Sequence, residues 1–176
     1  LLSSLMDKYI DKKVAISLPS MRLGTLHSDV IKQIRRVKKT GFTLAPEAGT
    51  ARLRRVINKE MSDGEFDEAM RDVFKEGWDS IKLYFMIGLP TETDEDIQGI
   101  IDLAERAKRI SREVSGRYRN INISISTYVP KPHTAFQWMG QITLEEIKKK
   151  QYYLKRTLEK KGISVKWHRP ELSFIE

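Results

Sequence analysis

The chain has 176 residues, 40% of them apolar and 32% charged, with a formal net charge of +8 and a pI of about 9.6. This suits one domain with a hydrophobic core, and no apolar run approaches the ~20 residues that a membrane helix needs. It contains no cysteine, which excludes disulfides, thiolate-held zinc and cysteine nucleophiles within the segment.

The first residues, Leu1-Leu2-Ser3-Ser4, have neither a basic region nor a long apolar stretch, so no signal peptide is read there. The missing initial Met suggests a piece of a longer product, and the cytoplasm is the expected compartment. Val14 to Leu18 is the first strand expected. His27 to Lys39 has helical apolar spacing through Val30, Ile31, Ile34 and Val37, and Gly41 stops it. Phe42 to Ala45 is the second strand, and Ala51 to Asn58 a short helix.

Ser62 and Glu65 have capping-box spacing ahead of the stripe Phe66, Ala69, Met70, Val73 and Phe74. Ile81 to Ile87 reads as a parallel strand covered on both faces. Gly88-Leu89-Pro90 turns the chain, and Thr93 caps a helix striped by Ile97, Ile100, Ile101, Ala104, Ala107 and Ile110. Ile121 to Val129 alternates and is β-branched, so it is a strand. Residues 130 to 140 form a loop. Thr143 and Glu146 open a last helix that Gly162 closes, and Ile163, Val165 and Trp167 suggest one more short strand.

Strands alternating with helices imply βαβ units, a parallel sheet and right-handed crossovers. Too few units are present to close an eight-stranded barrel, which leaves an open doubly wound sheet or an arc of a barrel. The carboxyl ends of parallel strands line the site in such folds. Those ends carry Ser20 and Arg22, then Glu47, Gly49 and Thr50, then Gly88, Thr91 and Glu92, then Tyr128, Lys131, His133, Thr134, Gln137 and Trp138. Plainer roles exist for several: Glu47 as a helix-dipole partner, Arg22 and Lys59 as surface cations, Gly88 as turn chemistry. The three histidines lack metal-ligand spacing, so no metal site is expected. No phosphate-binding loop, dinucleotide fingerprint or nucleophile elbow occurs.

Thr43-Leu44-Ala45-Pro46-Glu47-Ala48-Gly49-Thr50, followed by Leu53 and Val56-Ile57-Asn58-Lys59, then Ile87-Gly88-Leu89-Pro90-Thr91-Glu92-Thr93, then Tyr128-Val129-Pro130-Lys131-Pro132-His133-Thr134-Ala135-Phe136-Gln137-Trp138 resemble, in order and spacing, the ends of strands four, five and six of radical S-adenosylmethionine (SAM) enzymes. Ser17-Leu18-Pro19-Ser20-Met21-Arg22 falls where the third strand belongs. The resemblance covers roughly Val14 to Gln141, and is nearest to radical SAM proteins with a B12-binding-like domain ahead of the barrel.

It implies an α/β fold: a partial (βα) barrel arc, truncated on the N-terminal side. Residues 1–141 would supply strands three to six, and residues 142–176 a flanking helix and short strand. It implies SAM and a 4Fe–4S cluster in the parent, an Fe–S oxidoreductase cleaving SAM reductively to a 5′-deoxyadenosyl radical that acts on an unidentified substrate. The cluster needs thiolates that this chain lacks, so the fragment alone is expected to be inactive.

By the same resemblance, Glu47 would bond the SAM ribose with Lys59 assisting. The Gly88 turn would let strand five approach the adenine, with Met86 or Ile87 as the apolar wall, and backbone near Val129 would meet its edge. Ser20 and Arg22 would face the methionine carboxylate or a substrate anion. Tyr84 replaces the acidic residue that some relatives carry on strand five. Lys131, His133, Gln137 and Trp138 are substrate-side candidates.

Two other classes stay open. One is a cysteine-free barrel-like enzyme for a phosphorylated or carboxylated metabolite, using Arg22, Glu47 and Lys131. The other is an RNA-binding module using the basic face from Lys148 to Arg169. The edge of the Val14–Leu18 strand is expected to promote self-association.

Overall fold

A computed structural model describes residues 8–9 and 41–174. The strand expected at Val14 to Leu18, with its edge, the helix at His27 to Lys39, and the candidates Ser20 and Arg22 all lie outside the described residues. From Phe42 onward four strands alternate with helices: β1 (Phe42–Glu47), α1 (Ala51–Val56), α2 (Asp63–Lys75), β2 (Ser80–Ile87), α3 (Asp94–Ser115), β3 (Asn120–Thr127), α4 (Leu144–Lys160) and β4 (Ser164–Trp167). A 3-10 turn follows at Leu172–Phe174. The sheet runs in the order β1-β2-β3-β4, and all three pairings are parallel. Among the described residues the sheet does not close into a barrel, and no helix is long and apolar enough to cross a membrane.

The helix starts follow the sequence signals. Ser62 accepts the Glu65 N–H at 3.1 Å while Glu65 accepts the Ser62 N–H at 2.7 Å. Thr143 and Glu146 repeat this reciprocal bonding at the head of α4. Each such cap satisfies two of the N–H groups that a helix start leaves over.

β2 differs from the expectation of two covered faces. Ile81, Leu83, Phe85 and Ile87 are fully buried, while Lys82, Tyr84 and Met86 between them are half-buried. The helices lie over the first set. Phe66, Met70 and Phe74 of α2 and Ile97, Ile101 and Ala104 of α3 join those strand residues in one apolar core. Each large side chain so buried contributes about 1.5–3 kcal/mol.

The other face carries the polar register Lys82↔Asn122, Tyr84↔Ser124 and Met86↔Ser126. The Lys82 Nζ lies 4.8 Å from the Tyr84 ring centroid, so the long amphipathic chains shield part of that face themselves.

One further departure sharpens the site, and one expected strand takes its place in the sheet. β1 runs two residues past Ala45, to Glu47, with a register irregularity between Leu44 and Glu47. β4 pairs with β3, placing Val165 opposite Ile123. Residues beyond α4 therefore extend the same sheet.

Candidate functional site

Parallel pairing brings the carboxyl ends of β1, β2 and β3 to one edge. There, Glu47, Lys59, Met86 and Val129 line a common cleft of about 540 Å³. Ser126, Thr127 and Lys131 line it as well. Its floor is a second apolar cluster, built from the buried Ala48, Leu53, Leu89 and Tyr128 with Ile57, Met86 and Phe136 packed against them. The volume is within the roughly 300–1,000 Å³ of small-molecule sites, and the mix of apolar walls and few polar groups is typical of them.

Glu47 is held in a conformation that non-glycine residues rarely adopt, with φ 68°. The register irregularity at the end of β1 falls at this same residue. Its carboxylate accepts a hydrogen bond from Lys59 Nζ at 2.7 Å, with both side chains about a quarter exposed. Lys59 is therefore no free helix-end cation; it crosses the mouth of the cleft to Glu47. Thr91 and His133 also have positive φ, 66° and 61°. Both lie on strand-end loops at this edge, where stored backbone strain commonly accompanies function.

The turn after β1 is fixed from three sides. Arg54 is fully buried. Its guanidinium donates to the carbonyls of Met61 (3.0 Å), Gly49 (3.2 Å) and Ala48 (3.4 Å), and to Asp63 at 2.7 Å. Asp96, on α3 and almost fully buried, accepts from Thr50 and Arg52 and from the Thr93 N–H at 2.8 Å. Burial raises the Asp96 pKa, but these donors outweigh it, and the carboxyl is held below its ordinary value. Arg52 also donates to the Thr91 carbonyl at 2.8 Å, which ties the first strand-end loop to the second.

The turn after β2 has its own anchor. Gly88 has φ 78° and donates its N–H to both carboxylate oxygens of Glu92, at 3.0 Å each. Lys150 of α4 donates to the same carboxylate. Burial pushes the Glu92 carboxyl above its ordinary range, against the pull of Lys150. Gly88 itself backs onto Ile142 and does not line the cleft; its neighbours Met86 and Leu89 do. Tyr84 sits lower on the half-buried face of β2, also outside the cleft lining.

The substrate-side candidates divide. Lys131 lines the cleft, with Thr134 and Phe136. The His133 N–H donates to the Gln137 side chain at 3.1 Å, and Trp138 is 88% exposed; none of these three lines the cleft. Lining residues not named as site candidates from sequence are Ser126 and Thr127, together with Ile57, Leu89 and Phe136, which stood only within the motifs. The anchors Arg54 and Asp96 were equally unmarked, because a charged residue in a helix reads as surface until its burial is known.

The Radical SAM superfamily family model matches residues 3–104. The chain belongs to the radical SAM superfamily. It is 40% identical over 157 residues to an uncharacterised protein of Methanocaldococcus jannaschii, covering 89% of this chain and 33% of that protein. It is 27% identical over 122 residues to the tRNA-2-methylthio-N(6)-dimethylallyladenosine synthase of Petrotoga mobilis, covering 68% of this chain and 25% of the synthase. The chain thus spans a third or less of the curated relatives it matches. The open run of four parallel strands is consistent with part of a radical SAM barrel.

Membership of that superfamily implies SAM and a 4Fe–4S cluster, and the two groups fare differently against these residues. The cleft offers a carboxylate for hydroxyl groups, apolar walls for a flat ring, and the backbone of Val129 beyond the last ladder pair, Ile87↔Thr127. These suit a nucleoside. The cluster needs thiolates; the chain has no cysteine, and no group of three or more His, Asp or Glu among the described residues could hold a metal ion. This segment alone does not ligate the cluster.

Proposed function

We propose that this chain forms the nucleoside-binding side of a SAM site in a larger radical SAM enzyme. The observation that carries the proposal is the convergence of Glu47, Met86 and Val129, from three different strand ends, on one cleft. Glu47 would accept hydrogen bonds from the ribose hydroxyls, with Lys59 holding its carboxylate in place. Met86, Leu89 and Ile57 would flank the adenine, and the Val129 backbone would meet its polar edge. Phe136 and Tyr128 would exclude water, which strengthens those polar contacts.

Bound SAM would supply hydrogen-atom abstraction chemistry through its adenosyl group, given an electron from a cluster held by thiolates outside this chain. Lys131 and Thr134 at the rim are then the residues nearest a second substrate. The name of the Petrotoga relative makes RNA the first substrate class to test for the longer protein.

The test is nuclear magnetic resonance mapping of the isotopically labelled chain with S-adenosylhomocysteine, which needs no cluster. Shifts confined to Glu47, Lys59, Met86 and residues 126–129 are expected. Shifts centred elsewhere, or none at millimolar ligand, count against the proposal. Stronger shifts with inorganic phosphate than with the nucleoside would favour a phosphorylated-metabolite site instead.

A further inference from the structure

The chain's charge is distributed unevenly. Lys148 to Arg169 contains nine Lys and Arg and one Glu, a formal +8 that equals the net charge of the whole chain. The remaining residues balance, at 23 basic against 23 acidic. A local excess of this kind raises the potential of one surface and repels itself, unless a polyanion relieves it.

The fold places four of these nine cations, Lys148, Lys155, Arg156 and Arg169, along a groove that also holds Glu159 and Glu171. α4 turns Ile147, Gln151, Leu154 and Leu158 inward. Its Lys148, Tyr152, Lys155 and Arg156 face a groove of about 820 Å³, closed on the far side by Trp167, Arg169 and Glu171. Lys155 is partly neutralised by Glu159 at 4.0 Å, and Lys148 by Glu171 at 2.8 Å. Arg156 and Arg169 make no side-chain hydrogen bond or close ion pair among the described residues, and Arg169 meets Glu171 only through its field. Elsewhere Arg52, Arg54, Arg71, Arg106, Arg117 and Arg119 each hold a carboxylate.

Two aromatic residues line the same groove. Tyr152 is 66% exposed. Trp167 ends β4, with Lys155 Nζ 5.5 Å from its ring centroid. Unpaired guanidiniums between flat aromatic side chains match a strand that alternates phosphates with unstacked bases. An acidic protein would use the cations but not the rings. Paired duplex RNA would hide its bases from them. Glu159 and Glu171 within the groove can accept a hydrogen bond from a 2′-hydroxyl, which DNA lacks, while they repel a bare polyanion.

We propose that the groove between α4 and the segment after β4 binds a single-stranded stretch of RNA, with phosphates on Lys155, Arg156 and Arg169 and bases on Tyr152 and Trp167. The groove also communicates with the cleft. Gln141 Nε2 donates to the Tyr128 carbonyl at 2.9 Å and to the Ser173 carbonyl at 3.1 Å, joining the loop beside the cleft to the turn that follows the groove. The binding itself does not depend on the SAM reading.

The experiment is fluorescence anisotropy of the full chain with a labelled oligouridylate of about ten nucleotides, without SAM, from roughly 50 to 200 mM salt. Three phosphate contacts predict a slope of log affinity on log salt of about −2. Arg156→Glu with Arg169→Glu should weaken binding at least ~10-fold, and Tyr152→Ala about fivefold or more. The same charge change on α2 and α3, Lys75→Glu with Arg109→Glu, should leave it unchanged. If the reversal variant fails to fold by circular dichroism, Arg156→Gln with Arg169→Gln should still weaken binding.

A deoxyuridylate of equal length should bind at least about threefold more weakly. No binding to the RNA overturns the proposal. So does tighter binding to polyglutamate, or equal affinity for DNA and heparin together with indifference to Tyr152→Ala. Because SAM is absent throughout, failure here leaves the cleft reading intact, and failure of the cleft reading leaves this result standing.

Discussion

Asp96 sits in the first turn of α3 yet serves the turn after β1: it accepts the hydroxyl hydrogen of Thr50, while that hydroxyl accepts the Leu53 N–H at 3.2 Å. One carboxylate thus completes the cap of a helix from a different βα unit. Asp96 also accepts from Thr93 of its own cap, so both loops move together or not at all. The pH dependence follows. The folded state holds the carboxyl below its ordinary value of 3.8, so the stability it adds is fully present above that value and is lost as pH falls through the lower folded one. Asp96→Asn should cost about 2 kcal/mol near neutrality. The gap to the parent chain should narrow below about pH 4, as read from urea midpoints.

Gly49 is a packing requirement in the same place. A Cβ there would lie 2.7 Å from the Gly99 carbonyl carbon and still closer to the backbone of Asp96 and Ile100. These are backbone atoms of a helix and cannot swing aside. Gly49→Ala should therefore destabilise by about 3 kcal/mol, lowering the melting temperature by roughly 6–12 °C. Calorimetry showing no change would mean that the turn and α3 do not approach so closely.

Glu92 should behave in the opposite sense to Asp96. Burial raises its folded pKa above the ordinary 4.5. The native state then holds the proton more tightly than the unfolded chain, and stability declines as pH rises from about 4.5 through the raised value. Glu92→Gln should flatten that decline. Lys150→Met should steepen it, because the cation that offsets burial is gone. Denaturant midpoints between about pH 4 and pH 8 would separate the three curves.

The pair at the cleft mouth predicts a binding effect with little stability cost. Glu47→Gln keeps the shape but loses the charge, and should weaken S-adenosylhomocysteine binding about 10- to 100-fold, the usual range for a hydrogen bond to a charged group. Lys59→Met should weaken it less, since Lys59 acts through Glu47. Titration calorimetry that finds both variants unchanged would remove Glu47 from the site.

Much of this was legible in advance. The capping boxes at Ser62 and Thr143 and the apolar stripes behind them are local patterns, and the structure carries them at those residues. The strand ends that form the cleft could be read because parallel strands must deliver their carboxyl ends to one edge. Arg54, Asp96 and Glu92 were not legible as anchors. Their roles depend on which distant backbone groups the fold leaves without partners, and no spacing along the chain encodes that. Nor could Lys59 be paired with Glu47, because no local spacing encodes the positive φ that Glu47 adopts where the register of β1 is irregular.

The cleft has two walls of different character. The side made by the ends of β1 and β2 is locked to the helices through Asp96, Arg54 and Glu92. The opposite side, residues 130–140, has the internal bond from Thr134 Oγ1 to the Lys131 carbonyl at 2.7 Å and is tied to the apolar floor by Tyr128 Oη, which donates to the Phe136 carbonyl at 2.8 Å. Mutational drift on that second wall would leave the scaffold's stability nearly untouched. It is where an evolving lineage could change what the pocket admits while inheriting the first wall intact.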